Sequence, residues 1–130
     1  MLRRTAIVLL LFAAACFAAG ALHSHLLDGK TYVGESSEKG KEAKQKDTLI
    51  FKKGTFRSTA CDQYGFTAAP YTAKKEGGVI TFTADSTSAK EGKNHWEGTI
   101  TGDSAEATLT WTKEGQAPIE YSFKGSVQKQ

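Results

Sequence analysis

The chain has 130 residues, of which 39% are hydrophobic and 24% charged, and its formal net charge is +3 at pH 7. Without its first 21 residues, which include two arginines, it keeps fifteen basic residues (17 − 2) and fourteen acidic ones, a balance of +1. This weak charge excludes a polyelectrolyte surface, so we expect no nucleic-acid partner. A chain of this size can bury about two-thirds of its unfolded surface as one domain and needs no disulfide or metal to fold.

Residues 1–21 have the pattern of a cleaved signal peptide. A short basic start precedes an apolar run, which ends in Ala19-Gly20-Ala21 and fits the small-residue rule for cleavage. We therefore predict a secreted or periplasmic protein that begins at Leu22. The alternatives are an uncleaved membrane anchor and a lipoprotein, because the segment AAAC that ends at Cys16 resembles a lipobox. A membrane partner is expected only if Cys16 is lipidated.

The remaining chain predicts β-strands throughout, because short alternating segments lie between glycine-containing turns. The clearest hairpin turns at Gly102-Asp103, which suits a type II′ turn and determines the register. The apolar or glycine-containing pairs are Ile100–Ala105, Gly98–Ala107 and Trp96–Leu109. The polar pairs are Thr99–Glu106, Glu97–Thr108 and His95–Thr110. A slip of one residue would destroy this separation, so turn and pattern support each other.

The same alternation continues from Ile119 to Val127, and a second hairpin at Lys53-Gly54 pairs Phe51 with Phe56. In total we predict an all-β fold of about eight antiparallel strands in an up-and-down meander. Three segments repeat the order aromatic, any residue, glycine: Tyr32–Gly34, Trp96–Gly98 and Phe123–Gly125. One apolar face is best buried by closing the sheet into a small barrel, and a two-sheet β-sandwich is the alternative.

The segment LLDGKTYVGES, residues 26–36, resembles the first strand of calycin-type barrels, the group of lipocalins, fatty-acid-binding proteins and avidins. Those strands begin with Gly-x-Trp or a near variant, whereas here Gly29 and Tyr32 are separated by one more residue. HWEGTI followed by ATLTWTKEG is similar to avidin strands in the placement of its aromatic residues. The resemblance implies a small barrel and carries over no binding residue. We divide the chain into a leader (1–21), a flexible tail (22–28) and one barrel domain (29–128).

No motif for catalysis or for a cofactor is found in the sequence. His23 and His25 lie in the expected tail and His95 on a polar strand face, whereas a metal site needs three or four convergent ligands. A nucleophile elbow and a phosphate-binding glycine loop are both lacking. We therefore expect a protein that is not an enzyme and that has no metal or cofactor.

The aromatic residues of the inner face are the best candidates for a binding site. We predict a small apolar ligand in contact with Tyr32, Trp96, Trp111 and Tyr121. Small inward residues would leave space for it, although an eight-stranded barrel can equally be filled by its own side chains.

The segment CDQYGF, residues 61–66, starts a neutral aromatic loop. Between residues 58 and 73 Asp62 is the only charged residue, so the loop is expected to fold over one end of the barrel or to contact a partner. The residues predicted for this lid or partner surface are Cys61, Tyr64, Phe66 and Tyr71. A protein-binding module, such as an exported enzyme inhibitor, is the alternative function, and it would expose Tyr64, Phe66 and Tyr71 as one patch.

Cys61 has no intramolecular partner for a disulfide in either form of the exported protein. It is interpreted as a shielded small hydrophobic residue, with a disulfide-linked dimer and a reactive thiol as alternatives. A shielded thiol predicts a monomer without reductant. Cys61→Ser would then cost about 1–3 kcal/mol, if the buried hydroxyl has no partner.

Overall fold

The structure is a computed structural model that describes residues 22–129, so the predicted leader, including Cys16, lies outside the described residues. The eight strands are β1 Thr31–Glu38, β2 Lys44–Lys52, β3 Thr55–Ser58, β4 Ala69–Glu76, β5 Val79–Ser88, β6 Gly92–Thr101, β7 Ser104–Thr112 and β8 Ile119–Val127. Every strand pairs antiparallel with the next, and β8 pairs with β1, which closes the barrel. The predicted barrel is confirmed, and the β-sandwich alternative is wrong.

The hairpins have the registers that turn and pattern predict. All six pairs named above for the Gly102 hairpin are present between β6 and β7, and Phe51 faces Phe56 between β2 and β3. Gly102 has a φ of 57°, which a residue with a Cβ rarely adopts. The register is thus determined locally, by a two-residue turn next to strands with one apolar face.

The seam between β1 and β8 depends on two facing glycines, Gly34 and Gly125. A Cβ at Gly34 would lie 2.0 Å from the carbonyl oxygen of Lys124, and one at Gly125 would lie 2.5 Å from that of Val33. Two of the three aromatic-x-glycine segments therefore meet at the closure of the barrel. Their glycines are needed because the two backbones approach too closely for any side chain.

Aromatic rings fill the half of the barrel that we call the closed end. The turns at 52–55, 76–79 and 101–104 lie there. Phe51 is at the centre of the rings and contacts Tyr32, Phe56, Tyr71 and Phe82, with ring centroids 4.9 to 6.0 Å apart. The interior of this half is a packed aromatic core.

The segment before β1 covers the closed end, whereas the sequence predicts a flexible tail over residues 22–28. Leu27 is only 1% exposed and belongs to the core. The Asp28 carboxylate accepts hydrogen bonds from the backbone N–H of Gly54 (2.9 Å) and from the Tyr71 hydroxyl (2.8 Å). Alternation could not show this contact, because Leu27 precedes the first strand and its partners are distant in sequence.

Candidate functional site

A cavity of about 410 Å³ lies at the other end of the barrel, the open end. The connections 38–44, 59–68, 88–92 and 112–119 surround this end. The large apolar and aromatic side chains of the cavity wall include Phe66, Trp96, Leu109, Trp111 and Tyr121. The barrel is therefore filled in one half and hollow in the other.

The described residues include six buried polar ones, and all six lie towards the open end: Ser36, Asp47, Ser58, Ser86, Ser88 and Asn94. Ser36, Asp47 and Asn94 line the cavity. Each occupies an inward position of its strand and lies two residues closer to the open end than the next inward residue. The cavity thus combines aromatic walls with a layer of buried polar groups.

Asp47 is a buried carboxylate, 3% exposed, held by neutral donors. The Ser58 hydroxyl lies 2.8 Å from both carboxylate oxygens, and the backbone N–H of Ala60 donates to Oδ1 at 3.1 Å. Burial raises the pKa of the Asp47 carboxyl, while the donors at Ala60 and Ser58 act in the opposite direction. Within residues 22–129 no Lys, Arg or His nitrogen lies within 4 Å of this carboxylate.

Asn94 is 1% exposed and only half satisfied. Its Nδ2 donates to Cys61 Sγ at 3.5 Å, whereas its Oδ1 is buried and has no hydrogen-bond partner among the described residues. An unpaired buried acceptor costs about 1–3 kcal/mol. Such an atom beside a cavity calls for an explanation, and a donor from a bound molecule would supply one.

The structure brings three of the four predicted ligand-binding residues together. Trp96, Trp111 and Tyr121 line the cavity, and the indole N–H of Trp111 donates to the carbonyl oxygen of Glu91. Tyr32 lies apart from them, in the aromatic core, with its ring 6.0 Å from that of Phe51 and nearly perpendicular to it. On the same strand, Ser36 is the inward residue that reaches the cavity.

The predicted lid residues are likewise divided between the cavity and the closed end. Cys61 and Tyr64 lie in a 3-10 helix, Thr59–Tyr64, and line the cavity together with Phe66. Tyr71 is in β4, buried beside Asp28 near the closed end. Phe66 and Tyr71 are buried and Tyr64 is 50% exposed, so the three rings do not form the exposed patch that the protein-binding alternative requires.

Sequence reasoning did not name Ser36, Asp47 or Asn94 as site residues. The signal was present for all three, because the alternation that turns Trp96 inward also turns Asn94 inward. Leu49 implies the same for Asp47, and Tyr32 implies it for Ser36. Polar residues at inward positions mark the point along each strand where the apolar core ends.

Cys61 faces the cavity and is half-buried. Burial raises the pKa of its thiol, so little of the reactive thiolate is present at neutral pH. We expect a thiol reagent to label Cys61 much more slowly in the folded protein than in the denatured protein. The reaction can be followed by absorbance. Rapid and complete labelling of the folded protein would contradict a shielded thiol.

The structure also changes the expected cost of Cys61→Ser. The serine hydroxyl would lie beside the Nδ2 of Asn94, which already donates to the sulfur. We therefore expect a loss of stability below the about 1–3 kcal/mol of an unpartnered hydroxyl, measured by urea unfolding.

Comparison of the chain with protein-family models, curated proteins and solved structures finds no match. Within the part of the chain that the structure describes, no three His, Cys, Asp or Glu side chains come together as metal ligands. None of the helices in residues 22–129 is long and apolar enough to cross a membrane.

Proposed function

We propose that this protein is an exported, non-enzymatic β-barrel that binds a small apolar ligand in the cavity at its open end. The half-hollow interior is the observation that carries the proposal. A cavity of about 410 Å³ is within the range of small-molecule sites, roughly 300–1,000 Å³. Export is inferred from the leader pattern of residues 1–21.

The wall of the cavity suits an apolar ligand because Trp96, Leu109 and Trp111 contribute to it. Each Å² of apolar surface that a ligand removes from water contributes about 25 cal/mol. The calycin-type resemblance of residues 26–36 supports the barrel that encloses this cavity and carries over no binding residue.

Filling the cavity tests the proposal. Ser36→Phe replaces a small inward residue of the wall with an aromatic ring, whereas Ser122→Phe places the same ring on the exposed face of the neighbouring strand β8. We expect an uncharged naphthalene probe to quench tryptophan fluorescence in the wild type and in Ser122→Phe. In Ser36→Phe the quenching should be largely lost.

Circular dichroism of both variants controls for folding. A wild-type protein whose fluorescence does not respond to the probe would contradict the proposal. So would a folded Ser36→Phe variant that binds the probe as tightly as the wild type.

A further inference from the structure

The buried carboxylate of Asp47 is complementary to a cation. Its hydrogen bonds come from neutral groups, and the nearby ion pair of Asp62 with Arg57 carries no net charge. Charges interact more strongly in a partly buried site than in water, because the effective dielectric constant is lower. A positive group that enters the cavity would therefore gain more from Asp47 than from an exposed carboxylate.

The free acceptor of Asn94 adds a second requirement. Only a group with a hydrogen to donate can satisfy Oδ1, so a carboxylate or an ether oxygen in its place would leave the acceptor unpaired. Asn94 and Asp47 both line the cavity. The two residues together favour a positively charged head that carries N–H groups.

The walls account for the other part of the ligand. Trp96, Trp111 and Tyr121 present aromatic surface to the cavity, which suits an apolar body and also attracts a cation over a ring face. At the rim, Glu38 pairs with Lys41 and Glu91 with Lys113. The two charges within each pair neutralise each other. Lys44 also lines the rim, but it is exposed to solvent, which screens its charge.

We infer that the cavity binds a small amphiphilic amine, with its protonated N–H head at Asp47 and Asn94 and its apolar body against the aromatic wall. This inference rests on the proposed function and specifies the chemistry of its ligand.

Three compounds with one apolar body test the head group by isothermal titration calorimetry at pH 7. They are 2-phenylethylamine, 2-phenylethanol and 3-phenylpropanoate. We expect the amine to bind roughly ten- to hundredfold more tightly than the alcohol, since a charged group strengthens a buried hydrogen bond by that factor. The carboxylate should bind most weakly because Asp47 repels it.

Two variants and a control assign the preference to residues. Asp47→Asn removes the charge and retains an acceptor for Ala60, so the amine should lose its advantage while the alcohol binds as before. Asn94→Leu removes the unpaired oxygen and should weaken the amine without lowering the melting temperature. Glu106→Gln removes a carboxylate from the exposed outer face of β7 and should change neither affinity.

The outcomes separate the inference from the proposed function. Equal affinity for amine and alcohol, or tightest binding of the carboxylate, overturns the inference while binding of the uncharged naphthalene probe still supports a ligand site. A preference for the amine that persists in Asp47→Asn also overturns it. So does a folded Asn94→Leu variant that binds the amine as tightly as the wild type, and this second test serves if Asp47→Asn does not fold. If neither the probe nor any of the three compounds binds, both are wrong.

Discussion

Gly34→Ala is expected to destabilise the barrel by about 3 kcal/mol, at the upper end of the usual cost of overpacking. The added Cβ would lie 2.0 Å from the carbonyl oxygen of Lys124 and 2.5 Å from the Cα of Gly125. Both atoms belong to the backbone of β8, so no side-chain rotation can relieve the contact. The seam would have to open, and urea unfolding should report the loss.

Gly78→Ala is the matched control for this change. A Cβ at Gly78 meets nothing within 4 Å, and its φ is not positive. The substitution should be neutral or stabilise the protein by up to about 1 kcal/mol, because it reduces the entropy of the unfolded chain. Equal stability of the two variants would contradict the close approach of β1 and β8.

Leu27→Ala is expected to cost about 2–5 kcal/mol, the usual range when a buried leucine is truncated. Leu27 is 1% exposed, and the residue after it is held by Gly54 and Tyr71. In a domain of about this size each kcal/mol lowers the melting temperature by roughly 4–8 °C. A thermal melt followed by circular dichroism will therefore show the change clearly.

Leu22→Ala makes the same substitution five residues earlier, where the side chain is 69% exposed. It should leave the melting temperature unchanged. If Leu27→Ala melts at the same temperature as Leu22→Ala, residues 22–28 behave as the flexible tail that the sequence predicts, and the closed end does not depend on them.

Local pattern was sufficient to predict the pairing of the strands. In the hairpin at Gly102, the turn and the two-residue period determine which residues face each other, and both are properties of neighbouring residues. Antiparallel order then follows because short connections join sequential strands. Pattern and turn agree at every pair, which is why the sequence predicted this hairpin residue by residue.

Alternation could not predict the position of Cys61. Continued from Phe56, the two-residue period would turn Cys61 outward. In the structure β3 ends at Ser58, and the 3-10 helix that follows brings the thiol to the cavity. Where a strand is followed by a helix, the backbone period changes, and each later side chain points in a new direction. The direction of the Cys61 side chain therefore depends on where β3 ends.

For the candidate site, the sequence predicted which residues face inward but not where they lie along the barrel axis. Alternation correctly placed Tyr32, Trp96 and Tyr121 on the inner face, but it carries no information about height along the barrel axis. Height depends on how each strand is staggered against its neighbours around the closed sheet. This stagger puts Tyr32 in the filled half and Trp96 and Tyr121 beside the cavity.

The sequence by itself determined the number of strands, their antiparallel order and the inner face, because these depend on turns and on a period of two residues. Only the tertiary structure decided that Leu27 covers one end and that Asp47 and Asn94 line the cavity at the other end. It also decided that the Asn94 Oδ1 has no hydrogen-bond partner within residues 22–129. Burial and hydrogen-bond satisfaction depend on groups that are distant in the chain. They are set only when β8 meets β1 and the barrel closes.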